Sequence, residues 1–194
     1  MSTIDEVTFK EKAVHEVKRH LSDSTAIATM ANPIYACLET MVVGMTDEVS
    51  MNSRLINTGT VYAGLGSLTK LRDYSKRRFN ITKKSKEQVK GIHDIIFAGI
   101  FIVGIKPVVY LASGETDWKK IAIATGFGVL TGIVAAYPTG LFVDAYRDLT
   151  GVEESGRLPK VIERQSQKVK KTLAALLAAS SVGAVWLVYA LNGK

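Results

Sequence analysis

Glu39 stands inside an apolar run, NPIYACLETMVVGM, that extends from Asn32 to Met45. A carboxylate at bilayer depth costs roughly 2.5–3.5 kcal/mol on insertion scales unless it is paired, hydrated or protonated. Groups of this kind face a protein interior or a water-filled cavity, and proton exchange or substrate binding is their usual chemistry. A structural ion pair, or a position near enough to the membrane surface to stay wet, is the competing reading, since Gly44 follows only five residues later. Arg54 comes after the acidic turn that ends this run. Its guanidinium suits either Glu39 or a carboxylate ligand, because the planar fork binds carboxylates through two hydrogen bonds; otherwise it is an interfacial anchor that reaches water. His93 and Asp94 open another apolar block. Asp, Glu and His are the residue types of proton relays, although an Asp at that place also complements the positive end of a helix dipole. Lys106 lies past the middle of the same block, where a lone amine would lose its proton or find an acid. Pro33, about two turns before Glu39, removes a backbone donor and is the expected helix break, of a kind tolerated in a membrane where it is buried or lines a cavity.

The elements that must position these groups are helices. Ile4, Val7, Val14, Val17 and Leu21 recur at helical spacing, which predicts an amphipathic helix at the membrane surface over the N-terminal segment. Five apolar blocks follow: 24–44, 55–71, 92–112, 121–146 and 173–191. Each is near the roughly 20 residues that cross a bilayer as a helix, and only the last is free of acidic, basic and amide side chains within its apolar stretch. Connectors 70–91 and 147–171 are dense in Lys and Arg, whereas 45–53 holds Asp47 and Glu48 with Arg or Lys absent. That alternation places the N-terminus and both basic connectors on the cytoplasmic side. GMTDE at 44–48 is echoed by GETDW at 114–118, and TKLRDYSKR at 69–77 by GLFVDAYRD at 140–148. Each half reads as helix, outer turn, helix and an inner end carrying Asp73 or Asp144 beside basic residues, a parallel repeat of the sort found in transporters.

Composition narrows the function. The net charge of +7 could suit nucleic acid, but the basic residues sit between apolar blocks, so no nucleic-acid partner is expected. The single cysteine, Cys37, rules out an internal disulfide. The N-terminal stretch lacks the early apolar core of a secretory signal peptide, so targeting is expected to rest on the first apolar block. No phosphate loop, dinucleotide fingerprint or metal-ligand spacing is present, and His15, His20 and His93 are scattered. No cofactor, no metal and no enzymatic activity are expected.

The polar landmarks resemble those of the L-alanine exporter family of small bacterial inner-membrane proteins. They are Cys37-x-Glu39, Gly44-Met45, Ser53-Arg54-Leu55, Arg72-Asp73, Asp94-Ile95, Asp117-Trp118 and Gly140-x-Phe142-x-Asp144 with Arg147. The match covers about residues 25 to 150; Gly66-Ser67 replaces a Trp-Pro, and some forty residues with a fifth block are added at the C-terminus. The resemblance implies export of L-alanine or related small amino acids driven by the proton motive force. It points to Glu39, Arg54 and Asp94 as coupling residues, with Asp73 and Asp144 completing the candidate set.

The resulting expectation is an all-α polytopic helical bundle in the cytoplasmic membrane. Residues 1–23 form a cytoplasmic amphipathic segment, 24–149 a core of four transmembrane helices in two similar halves, and 150–194 a basic linker with a fifth helix. So few helices predict a homo-oligomer in contact with membrane lipid. A membrane scaffold or assembly factor, whose basic loops would bind anionic lipid, and a small channel are the rival functions.

Overall fold

A computed structural model describes the backbone of residues 3–64, 67–81 and 85–193, with side chains throughout these ranges except 3–9, 67–70, 72, 73, 87, 90, 94, 136 and 137. Every regular element among the described residues is helical, as expected for an all-α chain. Helix α1 covers Thr3–Cys37, α2 Asp47–Ala63, α3 Ser67–Arg78, α4 Glu87–Ala112, α5 Trp118–Thr150, α6 Lys160–Glu163 and α7 Gln167–Asn192.

Two features of α1 differ from the sequence-based expectation. The surface helix and the first apolar block are one continuous helix, since no glycine or proline interrupts residues 3–32. The helix also continues through Pro33. The α-geometry gives way instead at Leu38–Val42, a π-helical turn, in which the Val43 N–H donates to Leu38 O at 3.0 Å. Such single π-turns often mark functional sites, and this one carries Glu39. Gly44, at φ +74°, then turns the chain in the left-handed region that suits glycine. Thr46 caps α2 by accepting from the Val49 N–H at 3.2 Å. The echoed turn is built the same way: Gly114 has φ +96°, and Asp117 accepts from the Lys119 N–H at 2.8 Å at the start of α5.

Among the described residues, three helical stretches are long and apolar enough to cross a membrane: Gly91–Ala112, Trp118–Ala135 and Gln167–Asn192. They coincide with the third, fourth and fifth blocks. Ile96, Ile100, Val103 and Val108 on α4, and Leu176, Val182 and Trp186 on α7, expose large apolar side chains, as helices facing lipid do. The first block is spread over α1 and the π-turn. The second is shared between α2, only 17 residues long, and α3, with residues 65 and 66 outside the described set.

The chain divides into two compact units. One comprises Met1–Pro33 and Tyr137–Ala184, with a core of Ala26, Tyr146, Leu149, Leu158 and Ala174. There α7 is held to α5 by the Tyr146 hydroxyl, which donates to Ala174 O at 3.2 Å. Lys170 adds an ion pair with Asp148 at 3.1 Å, both side chains nearly buried. The other unit comprises Ile34–Ala136 and Val185–Lys194, with a core of Met45, Val49, Tyr110, Ile121 and Ala124.

Candidate functional site

The second unit places Glu39 among donors. The π-turn delivers its carboxylate towards α2, and the side chain is 1% exposed although the Gly44 turn is close. Proximity to the turn therefore does not keep it wet. Oε2 accepts from Ser50 Oγ at 2.8 Å. Oε1 accepts from Tyr110 Oη at 2.9 Å and from Arg54 Nη2, so Glu39 and Arg54 form a buried ion pair. Ser53 Oγ lies 3.0 Å from Glu39 Oε2 and 3.0 Å from Ser50 O; its single proton serves one of the two. Because Ser50 gives its proton to Glu39, the Tyr189 hydroxyl, 3.1 Å from Ser50 Oγ, is the donor in that contact.

Local sequence explains this convergence. Ser50, Ser53 and Arg54 are spaced three and four apart on α2, so they share one face. Tyr110 reaches the same point from α4 and Tyr189 from α7. The Arg54 guanidinium stacks 5.0 Å from the Tyr35 ring centre. Lys106 stands over two rings, 4.0 Å from the centre of Tyr35 and 5.4 Å from that of Tyr110.

A saturated carboxylate of this kind is a two-position device. Ionised, it accepts from a guanidinium, a phenol and one or two serines. Protonated, it gains a donor and loses acceptor capacity, so at least one present donor must turn away. Arg54 is the partner with most to lose, because its attraction to Glu39 is chiefly charge.

The other candidates are placed differently. The side chains of Asp73 and Asp94 lie outside the described residues, on α3 and α4. His93, Asp94's neighbour, lies 3.0 Å through Nε2 from Ser75 Oγ and packs against Phe79 and Phe97. Asp144 belongs to the first unit, where its Oδ1 is 3.6 Å from Arg147 Nη1 with the side chain 40% exposed. Arg147 is held mainly by Asp23, through Nε–Oδ1 at 2.6 Å and Nη2–Oδ2 at 2.7 Å. Hydrogen bonds to the Asp23 carboxylate hold this guanidinium above its ordinary range, against the opposing effect of partial burial. The bidentate geometry yields a prediction. Arg147→Lys keeps the charge but not the fork, and is expected to destabilise the protein by about 1–2 kcal/mol, read as a lower unfolding midpoint in detergent.

Sequence reasoning missed Tyr110, Tyr189, Ser50 and Asp23. Neutral polar residues in apolar helices carry little individual signal, and Asp23 gave none because charges at a segment boundary are unremarkable. Among the described residues no cluster of His, Cys, Asp and Glu has the makings of a metal site.

A family model described as AlaE, L-alanine exporter, matches residues 13–153. No curated protein and no solved structure matches the chain significantly.

Proposed function

The chain belongs to the L-alanine exporter family, and from that premise we propose that it exports L-alanine or a closely related small amino acid in exchange for protons. The family is one of membrane transporters, and the apolar helices make this a multi-pass membrane protein. The observation that carries the proton-coupled reading is the Glu39 carboxylate, buried to 1% exposure and tied to Arg54.

In this reading, a proton entering from outside neutralises Glu39 and loosens Arg54. The released guanidinium then attracts an anionic group, and the outward passage of cargo is linked to proton release inside. Asp94, about two turns into α4, is the second proton-exchanging acid; Asp73 and Asp144 serve the cytoplasmic ends of α3 and α5. The protein lies in the cytoplasmic membrane with its N-terminus inside. Residues 24–149 are the transport core, residues 1–23 an amphipathic segment, and 150–194 a linker and additional span. Oligomerisation of this small chain completes the path.

The test is flux through the purified full-length protein in liposomes loaded with labelled L-alanine. An inward proton gradient is expected to accelerate alanine exit, and its collapse by a protonophore to slow it. Absence of flux under every gradient would favour a scaffold instead, and alanine flux with ionic conductance but indifferent to protons would favour a channel.

A further inference from the structure

Lys106 is 6% exposed, and among the described residues no carboxylate and no hydrogen-bond acceptor is placed on its ammonium group. The faces of Tyr35 and Tyr110 compensate part of its charge. Arg54, the neighbouring cation, is already engaged by Glu39. A second unsatisfied group lies on α5. Thr125 Oγ1 is buried with no hydrogen-bond partner. It lies one helical turn before Gly128, on the same face of α5. A β-carbon at Gly128 would sit 3.8 Å from Tyr35 Cε1 and 3.9 Å from Lys106 Cε. Tyr35 also donates to Gly128 O at 3.4 Å. An apolar cavity of about 280 Å³ follows the α4–α5 seam from Gly91 to Ile102 and Val129. Ile102 precedes Lys106 by one turn on the same face of α4.

An ammonium without an acid and a hydroxyl without an acceptor are both donors. The ligand chemistry that satisfies them together is an anion with more than one acceptor oxygen. We propose that Lys106, with Thr125 beside it, seats the carboxylate of the amino-acid cargo while Arg54 is still paired with Glu39. This subsite rests on the export reading and names the part of the cargo that it recognises.

Equilibrium binding of labelled L-alanine to the purified full-length protein, competed by unlabelled L-alanine or L-alaninamide, tests the assignment. The amide lacks the anionic oxygens, and a site built on charged hydrogen bonds rejects such an analogue. On the unmodified protein L-alaninamide is expected to compete at least about tenfold more weakly than L-alanine. Lys106→Gln is expected to weaken L-alanine binding by a similar factor while leaving the amide unchanged, and Lys106→Arg to restore the preference. Equal competition by the two ligands on the unmodified protein would overturn the proposal without needing any variant. So would a Lys106→Gln protein that binds L-alanine normally, or one that loses both ligands equally. If proton-driven alanine flux persists in any of these cases, the carboxylate seat fails and the export reading stands; if the unmodified protein neither binds nor moves L-alanine, both fall.

Discussion

Glu39→Gln is expected to leave at most about one hundredth of the proton-driven export rate, since a positioned proton-exchanging group contributes roughly 10²–10⁴-fold where it acts. The variant is nevertheless expected to fold. Glutamine copies the shape and neutrality of a protonated Glu39, a state the proposed cycle visits at every turnover. Its amide oxygen still accepts where Tyr110 Oη donates at 2.9 Å, and its NH₂ group faces Ser50 and Ser53, whose oxygens accept. Liposome flux expressed per folded protein, measured beside the unfolding midpoint, separates the two effects: the midpoint falls because buried Arg54 loses its counter-charge, while export per folded molecule collapses. A glutamine variant that exports at the normal, gradient-dependent rate would remove Glu39 from the coupling.

Removing the cation breaks the same pair from the other side. Arg54→Met strands the carboxylate in a site where both side chains are at most 5% exposed. Breaking a buried pair from one side costs about 3–5 kcal/mol, because the remaining charge is left without compensation. The double variant Glu39→Gln/Arg54→Met removes both charges and is expected to regain most of that stability without regaining export. Unfolding in detergent across the wild type, both single variants and the double variant measures the coupling directly. An additive cycle, or an Arg54→Met protein as stable as the wild type, would mean that the pair is not the buried interaction described.

What the amino-acid sequence makes legible follows from where the energy is large. A carboxylate in an apolar run must have a partner, and the next cation along the chain, Arg54, is that partner. The spans of α4, α5 and α7 stand out because long apolar runs have few alternatives. The donors that complete the Glu39 site do not stand out. Tyr110 and Tyr189 are separated from Glu39 by 71 residues and from Ser50 by 139, and nothing local in either segment announces a long-range hydrogen bond. Tyr189 adds a further obstacle, since it belongs to α7, beyond the family-matched residues 13–153. The expected break at Pro33 fell five residues short of the real departure at Leu38. A proline fixes one dihedral and removes one donor, whereas the π-turn answers to the packing of Glu39 and Thr40, both buried. Asp144 stands out in the sequence by its echo with Asp73, yet the dominant partner of Arg147 is Asp23, on the segment read as an amphipathic surface helix.

Proton movement evoked by cargo is the most direct test of the proposal that Glu39 exchanges a proton as an amino acid crosses. Liposomes containing the full-length protein, a pH-sensitive dye and L-alanine would be diluted into alanine-free buffer. The lumen is expected to acidify as alanine leaves, in proportion to the alanine lost, and to stay at constant pH with Glu39→Gln. Alanine exit without acidification from the unmodified protein, or undiminished acidification from the glutamine variant, would contradict it.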